Sequence, residues 1–296
     1  MAAVVGSLDS GLGLTGMPRR DVALPLLLLG PAALWTLVFF VAPLSVMLWR
    51  SLQRDGLSLF YYRKLFSVSL YLDVMLNTFQ ISLIVTAGCL LLGYPLAYLI
   101  CVAGPRARAI VLVMVITPYW LDYIVRSYSW MVLLGRTGLV NRTMISLGLI
   151  EQPITILFTV WSVAIGMIQI LLPLTILTLY ATMQGIDRRL LQAAAIHGAP
   201  PWRAFARVFF PLSLPGVYGA GLLTFVTAMG FYITPALLGG RKQTMISQLI
   251  ATLSNELLDW PLASAAAALL LFLSLLIVLL YNRLFSVDRL WGGAPS

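Results

Sequence analysis

The chain has 296 residues, of which 60% are hydrophobic and only 10% are charged, and its formal net charge at neutral pH is +9. Soluble domains contain about 25% charged residues, so a water-soluble domain and a disordered chain are both excluded. Two cysteines in this length exclude a disulfide-stapled secreted module. The basic residues are spread over the loops instead of forming one patch, which excludes nucleic acid as a partner. An integral membrane protein remains.

Five charge-free runs predict membrane-spanning helices. Each run holds 23 to 35 residues, and about 20 mostly apolar residues are enough for a helix to cross a bilayer. The runs are too long and too continuously apolar to be the strands of a membrane barrel. They lie between Asp21 and Arg50, Asp73 and Arg106, Glu151 and Asp187, Arg207 and Arg241, and Asp259 and Arg283.

In chain order, residues 1–20 are expected to form a mobile tail, residues 21–285 a single transmembrane domain and residues 286–296 a second tail. The first helix is predicted over 24–48, because its apolar stretch is longer than the core of a signal peptide. The second is predicted over 78–100.

The third helix begins after Arg108 and is the one span that meets charged residues, Asp122 and Arg126. The last three helices are predicted over 155–180, 216–238 and 260–281. The sequence therefore predicts an all-α, polytopic membrane protein with about six transmembrane helices. The 19 Lys and Arg residues divide ten to nine between the two sides, so the distribution of positive charge decides no orientation.

The most polar stretch in the second half of the chain is the loop over 184–216. It predicts two short helices joined by a sharp corner. Asp187 suits an N-cap, Gly198 suits the end of the first helix and Pro201 suits the first position of the second. The second helix carries an aromatic face, Trp202, Phe205 and Phe209, which is typical of a helix that lies on a membrane surface or against a partner.

This loop also carries a family signature. The segments Gln192-Ala193-Ala194, Gly198-Ala199, Pro211 and Pro215-Gly216 resemble the signature of the membrane-spanning subunits of type I ATP-binding-cassette importers, in which Glu-Ala-Ala is followed after three residues by Gly and then by a Leu-Pro-type ending. The first residue departs from the pattern, because Gln192 stands where Glu is usual. The resemblance implies an ATPase-coupling loop whose working residues are Gln192, Ala193, Ala194, Gly198, Ala199, Pro211 and Pro215.

Further segments resemble one branch of that family, the spermidine/putrescine permeases. Members of the branch and its neighbours carry polyamines, ferric iron, opines and phosphonates, and a polyamine is the solute expected here. The segments that carry this resemblance are Asn77-Thr78, Gly93 to Tyr98, Pro118 to Trp120, Val125 to Trp130 and Leu133 to Asn141.

The resemblance implies a permease subunit of an ATP-driven importer in the bacterial inner membrane, with the coupling loop and both termini in the cytoplasm. The implied partners are ATPase subunits, a second permease that is either a copy or a similar chain, a periplasmic solute-binding protein and the lipid bilayer. No catalytic constellation and no phosphate-binding motif are visible in the sequence, so ATP and magnesium are expected on the partner ATPase. The lone His197 predicts no metal site.

The solute pathway is predicted near the end of the third helix, at Tyr119, Trp120, Asp122, Tyr123 and Arg126. A carboxylate among aromatic rings attracts ammonium groups, whereas the rings alone are also typical of an interfacial aromatic belt. Asp122 either serves a cationic solute or pairs with Arg126 one turn later, and Arg126 is expected to act in structure or gating. The rival class, a secondary transporter, would carry ionisable residues near the middle of its spans, and the five charge-free runs carry none.

Overall fold

A computed structural model of the chain describes residues 30–285 except for 32 and 55. The predicted tails, residues 1–20 and 286–296, and the predicted start of the first helix at residue 24 lie outside the described residues. Besides helices, the described residues form a short antiparallel hairpin with two strands of two residues each, Gln53–Arg54 and Gly56–Leu57. The helices are α1 Ala33–Leu52, α2 Phe60–Ser67, α3 Ser69–Val102, α4 Pro105–Ile116, α5 Tyr123–Leu134, α6 Leu139–Ser146, α7 Val160–Gln184, α8 Arg188–Ile196, α9 Pro201–Met229, α10 Ile233–Leu238, α11 Ile246–Asn255 and α12 Trp260–Phe285.

Five of these helices, α1, α3, α7, α9 and α12, are long and apolar enough to cross a membrane. The segments Pro105–Trp120 and Tyr123–Ser146 together form a sixth span if they are counted as one broken helix, with a bend of 96° between them. The described residues therefore confirm the predicted all-α class and the number of about six spans.

The centre of the fold is the mutual packing of α3, α7 and α9. Small residues allow the close approach: a Cβ atom added at Gly216 of α9 would lie 2.7 Å from the Thr182 side chain of α7. Buried hydroxyls join two of the same helices, because the hydroxyl oxygens of Thr175 on α7 and Thr224 on α9 lie 2.8 Å apart. Both features are typical of helices that associate inside a membrane, where backbones approach closely and hydroxyls bond between helices. Gly216 therefore permits the tight packing of α9 against α7.

Helix α3 is longer than predicted. It begins at Ser69 instead of Thr78 and ends at Val102, so the connection to α4 is reduced to Ala103 and Gly104. Polar residues such as Asp73 do not end a helix when they lie beyond the apolar core of a bilayer, because water hydrates them there.

The second short helix of the 184–216 loop is not separate. It is the start of α9, which runs without a break from Pro201 to Met229, so the predicted start of the fifth span at Gly216 is wrong. Residues Phe205–Phe209 form a π-helical turn that ends two residues before Pro211. Such a turn shifts the backbone hydrogen bonds, and the helix continues through Pro211 to Met229. The same span ends earlier than predicted, because Gly230 follows Met229 and α10 is a separate short helix.

The third span is broken. Helix α4 ends at Ile116, a 3₁₀ turn follows over Thr117–Trp120, and Leu121 and Asp122 are extended before α5 begins. The expectation that Asp122 and Arg126 share one continuous helix is therefore wrong. Pro118 lies in the 3₁₀ turn, and a proline disfavours continuation of the preceding α-helix through it.

Candidate coupling loop and solute pathway

The corner of the coupling loop has the geometry that the sequence predicts. The Asp187 carboxylate accepts a hydrogen bond from the backbone N–H of Arg189 at 2.9 Å and caps α8. Gly198 has φ +80°, and the N–H groups of Gly198 and Ala199 donate to the carbonyls of Ala195 and Ala194. This pair of bonds closes the helix in the Schellman arrangement, which requires a left-handed residue and so favours glycine. Pro201 then opens α9.

Helix α8 is poorly covered by the rest of the chain. Gln192 and Ala193 are exposed and Ala194 is half-buried. The apolar side chain of Ile196 is 84% exposed. A nine-residue helix has little stability of its own in water, so α8 presents a surface that needs a partner.

A cavity of about 470 Å³ lies behind α8. The side chains of Gln184, Gln192 and Leu191 line it, together with Arg108 from α4. The Arg108 guanidinium donates hydrogen bonds to the carbonyls of Ile100 and Ala103 at 3.3 Å each. Arg108 therefore satisfies the C-terminal carbonyls of α3, as a cation there is expected to do. The one signal for this role in the sequence is a basic residue after a loop.

An aromatic cluster joins the start of α9 to α3. The Tyr98 ring of α3 lies 5.0 Å from the Phe205 ring and 4.9 Å from the Phe209 ring, with edge-to-face geometry. Phe209 is buried, whereas Trp202 is exposed and does not join the cluster. The predicted aromatic face is therefore divided, because two of its three rings pack inside the protein.

The two prolines of the signature lie away from the corner. Pro211 is exposed and Pro215 is half-buried, both within α9. Pro211 is ten residues beyond Pro201, or about 15 Å along the helix. The structure thus brings Gln192, Ala193, Ala194, Gly198 and Ala199 together at one corner and places the prolines further along the span.

The predicted pathway residues gather at the bend of the broken span. Tyr119 and Trp120 lie in the 3₁₀ turn, and Trp120 is 87% exposed. Asp122 is exposed, and Tyr123 lies in the first turn of α5. Four of the five predicted residues therefore face outward around one corner. Within the described residues no three side chains of His, Cys, Asp or Glu are placed to hold a metal ion.

Asp122 caps α5 and does not pair with Arg126. Its carboxylate accepts a hydrogen bond from the backbone N–H of Ile124 at 2.7 Å. In the described ranges the one ion pair joins Lys64 and Asp259 at 3.8 Å. The alternative in which Asp122 neutralises Arg126 is therefore not realised in this structure.

Arg126 is buried, with 4% of its surface exposed. Its guanidinium lies 5.0 Å from the centre of the Tyr123 ring, and none of its three side-chain nitrogens has a hydrogen-bond partner among the described residues. The neighbouring Ser127 hydroxyl lies 3.0 Å from that of Thr234 and ties α5 to α10. A buried charge whose nitrogens lack hydrogen-bond partners is costly and is a functional candidate by default.

One polar residue inside a span escaped the sequence analysis. Gln169 lies on α7, and its side-chain oxygen is buried without a hydrogen-bond partner in the described part of the chain. It lines a cavity of about 400 Å³ together with Pro173. The available signal was a glutamine inside a charge-free run with a proline four residues later.

The chain matches a known protein family and several of its curated members. The family model described as "Binding-protein-dependent transport system inner membrane component" matches residues 89–287. The spermidine/putrescine transport system permease protein PotB of Haemophilus influenzae is 36% identical over 258 residues, which cover 84% of this chain and 90% of that protein. PotB of Escherichia coli K12 is 35% identical over 72% of this chain and 78% of its own length. A putative 2-aminoethylphosphonate transport system permease protein, PhnU of Salmonella typhimurium, is 27% identical over 90% of this chain and 91% of its own length.

Solved structures share the fold. A chain of a bacterial ABC transporter that imports the acidic polysaccharide alginate has a TM-score of 0.70 and 21% identity, covering 90% of this chain and 96% of its own. A chain of the MetNI methionine ABC transporter has a TM-score of 0.57 and 17% identity, covering 74% and 95%. At these identities the likeness extends to the fold alone.

Proposed function

The chain belongs to the family of binding-protein-dependent transport system inner membrane components, and from this premise we propose that it is the permease subunit of an ATP-driven importer of polyamines such as spermidine and putrescine. The observation that carries the solute is the 36% identity to a spermidine/putrescine permease over 84% of this chain. The chain is a multi-pass protein of the inner membrane, in agreement with the family and with its five or six apolar spans.

The coupling loop faces the cytoplasm, and so do both termini. The signature around Gln192 and Gly198 supports this orientation, because it marks the cytoplasmic loop in the family that the sequence resembles. The bend at Trp120 then lies about 24 Å from the cytoplasmic start of α4 at Pro105, since 16 helical residues rise by about that distance. The pathway residues are therefore near the outer side of the membrane.

The ATPase subunits dock on α8. The exposure of Gln192, Ala193 and Ile196 supports this contact, because a short helix needs a covering surface. The sequence holds no Gly-x-x-x-x-Gly-Lys-Ser/Thr loop, so ATP and magnesium bind to the partner and this chain is not itself an enzyme. A second permease subunit encloses the pathway, and a periplasmic binding protein delivers the solute.

Movement of the ATPases reaches the spans through two connections. The Schellman corner at Gly198 fixes α8 to the start of α9, and the ring contacts of Tyr98 with Phe205 and Phe209 fix α9 to α3. A displacement of α8 therefore moves packed helices as a unit, which is how a rigid element with two arrangements couples distant sites.

The bend of the broken span forms the outer part of the pathway. The exposed carboxylate of Asp122 and the rings of Tyr119, Trp120 and Tyr123 offer the two features that attract alkylammonium groups, a negative charge and aromatic faces. Arg126 lies behind them as a buried cation and restrains the movement of α5 at this gate.

The proposal is tested by reconstitution. The permease, its partner ATPase and permease, and its binding protein are placed in proteoliposomes, and ATP-dependent uptake of labelled spermidine and putrescine is measured. Excess 2-aminoethylphosphonate, ferric iron and an opine serve as competitors. We expect both polyamines to be taken up, and we expect the competitors to leave this uptake unchanged. If the proteoliposomes took up one of the competitors and neither polyamine, that competitor would replace the polyamines as the proposed solute.

A further inference from the structure

A groove inside the membrane-spanning region lies between α3, α4 and α7. Its volume is about 400 Å³, which is within the range of small-molecule sites. It runs along one stripe of α7 and is apolar except for Gln169. The lining residues are Leu96 of α3; Val111, Met114, Val115 and Pro118 on or just after α4; and Gln169, Leu172, Pro173 and Ile176 of α7.

Gln169, which lines this groove, carries two hydrogen-bond acceptors that lack a usual donor. The oxygen of its side chain is buried and has no partner among the described residues. Its main-chain carbonyl lacks the usual helical donor, because Pro173 stands four residues later and has no N–H group. Other spanning helices also contain prolines, but here the proline and an amide side chain act at the same residue.

An unsatisfied acceptor in a spanning helix calls for a donor. Polar side chains within spans generally face a cavity, a pathway or another chain instead of lipid, and a buried acceptor without a partner is unfavourable. The surrounding Leu172 and Ile176 are apolar, so the complementary ligand has N–H donors on a hydrocarbon chain. An alkylammonium group has this chemistry.

We infer that the Gln169 groove binds an alkylammonium group of the solute during its passage, with the amide and carbonyl oxygens of Gln169 accepting hydrogen bonds from the ammonium and with the apolar lining contacting the methylene chain. This site rests on the proposed polyamine function and extends it to a second point on the route. Asp122 attracts the cation at the outer bend, and Gln169 accepts hydrogen bonds from it deeper in the membrane.

The first test compares glutamine substitutions in the reconstituted complex. Gln169→Leu keeps the size of the side chain and removes the side-chain acceptor, whereas Gln169→Glu keeps an acceptor. Gln80→Leu makes the same change at an exposed position of α3 and is the matched control. A hydrogen bond to a charged group implies that Gln169→Leu lowers the rate of spermidine uptake about tenfold. Gln169→Glu is expected to keep at least the wild-type rate, and Gln80→Leu to leave it unchanged.

A second pair of variants tests the main-chain acceptor. Pro173→Ala restores an N–H group that occupies the Gln169 carbonyl, so it is expected to lower uptake by a smaller factor than Gln169→Leu. Pro95→Ala makes the same change inside α3, where the proline is not itself one of the groove-lining residues, and it is expected to have no effect on uptake.

The outcomes separate the two proposals. If wild-type protein transports spermidine and Gln169→Leu equals Gln80→Leu, the groove inference is wrong and the proposed function stands. If wild-type protein transports neither polyamine, both are wrong. Co-purification of the partner permease and ATPase reports assembly. If Gln169→Leu does not assemble, the uptake rate of Gln169→Glu tests the inference. A rate below that of the wild type would contradict it and would assign Gln169 to contact with the second permease.

Discussion

The hydroxyl groups of Tyr94 and Ser213 lie 2.8 Å apart and join α3 to α9 between the two prolines of the coupling signature. The Ser213 hydroxyl donates to the Phe210 carbonyl at 2.8 Å, so the Tyr94 hydroxyl donates to Ser213. The Tyr94 ring also contacts the Phe210 ring edge-to-face at 5.8 Å. This bond is the direct polar link between the start of the span that follows the coupling corner and the neighbouring helix.

Tyr94→Phe is expected to lower the number of solute molecules imported per ATP hydrolysed. The change removes a bond worth about 0.5–1.5 kcal/mol and leaves the ring contacts, so the protein should still assemble while α9 follows α3 less closely. Uptake and ATP hydrolysis are measured together in proteoliposomes. Tyr98→Phe is the control, because the Tyr98 hydroxyl forms no hydrogen bond within the described part of the chain. Equal coupling ratios in the two variants would assign the link to the rings alone.

Gly198→Ala is expected to weaken transport through the backbone alone. No atom lies within 4 Å of an added Cβ, but φ is +80°, and a left-handed conformation costs a residue with a side chain about 1–2 kcal/mol. Gly198→Asn should lose less, since asparagine tolerates this conformation. Uptake and recovery of the ATPase with the purified permease are the measurements.

Gly104→Ala is the matched control for Gly198. An added Cβ at Gly104 also meets open space, but the backbone has φ −64°, which any residue adopts. Both glycines lie at the coupling-loop end of the molecule. A loss of uptake as large in Gly104→Ala as in Gly198→Ala would contradict the role of the left-handed corner.

Gly216→Ala is expected to reduce the thermal stability of the purified permease. The new Cβ would lie 2.7 Å from the Thr182 side chain, and overpacking of this kind costs about 1–3 kcal/mol. Gly219→Ala should be nearly neutral, because its nearest contact is the Tyr281 hydroxyl at 3.8 Å. The midpoint of thermal unfolding in detergent is compared, and equal midpoints would show that α7 and α9 separate without cost.

Local signals made the coupling corner predictable. An N-cap at Asp187, a left-handed glycine at 198 and a helix-opening proline at 201 are each set by their own backbone chemistry, and the structure confirms all three. The number of spans followed from length and hydropathy in the same way. Neither inference needed information about which helices are neighbours.

The features that escaped prediction depend on packing or on cooperation between turns. The third span breaks at the 3₁₀ turn that holds Pro118 and at the extended residues Leu121 and Asp122, whereas Pro211 lies within an unbroken α9. The unpaired state of Arg126 and Gln169 is a property of the folded surroundings. A sequence identifies such a residue as polar, but not whether a donor or acceptor reaches it.

Gln192 tests whether the coupling position works through a hydrogen bond or through a charge. We expect Gln192→Glu to bind the ATPase normally, because both side chains offer an oxygen at the same reach. Gln192→Ala should weaken binding by about 0.5–1.5 kcal/mol. Gln184→Ala is the control, since Gln184 lines the same cavity from α7. The Kd of the ATPase for the permease is measured, and loss of binding in the Glu variant alone would reverse the assignment.

Asp122 caps α5 in this structure, and the proposed attraction of a cationic solute makes a different demand on its side chain. As an N-cap it needs only a side-chain oxygen, which asparagine also supplies, whereas attraction of a cationic solute needs the negative charge. Asp122→Asn is therefore expected to preserve assembly and thermal stability and to lower polyamine uptake severalfold. Asp122→Ala also removes the cap, so it should lower the free energy of unfolding by a further amount of about 0.5–2 kcal/mol.

The double variant Asp122→Asn/Arg126→Gln completes the test. Since no ion pair joins these residues in the described structure, removing Arg126 should not restore the uptake lost with the Asp122 charge. Uptake by the single and double variants is compared at equal amounts of assembled complex. Full recovery in the double variant would mean that the two charges meet in another state of the transport cycle, and Asp122 would then be a partner of Arg126 instead of a contact for the solute.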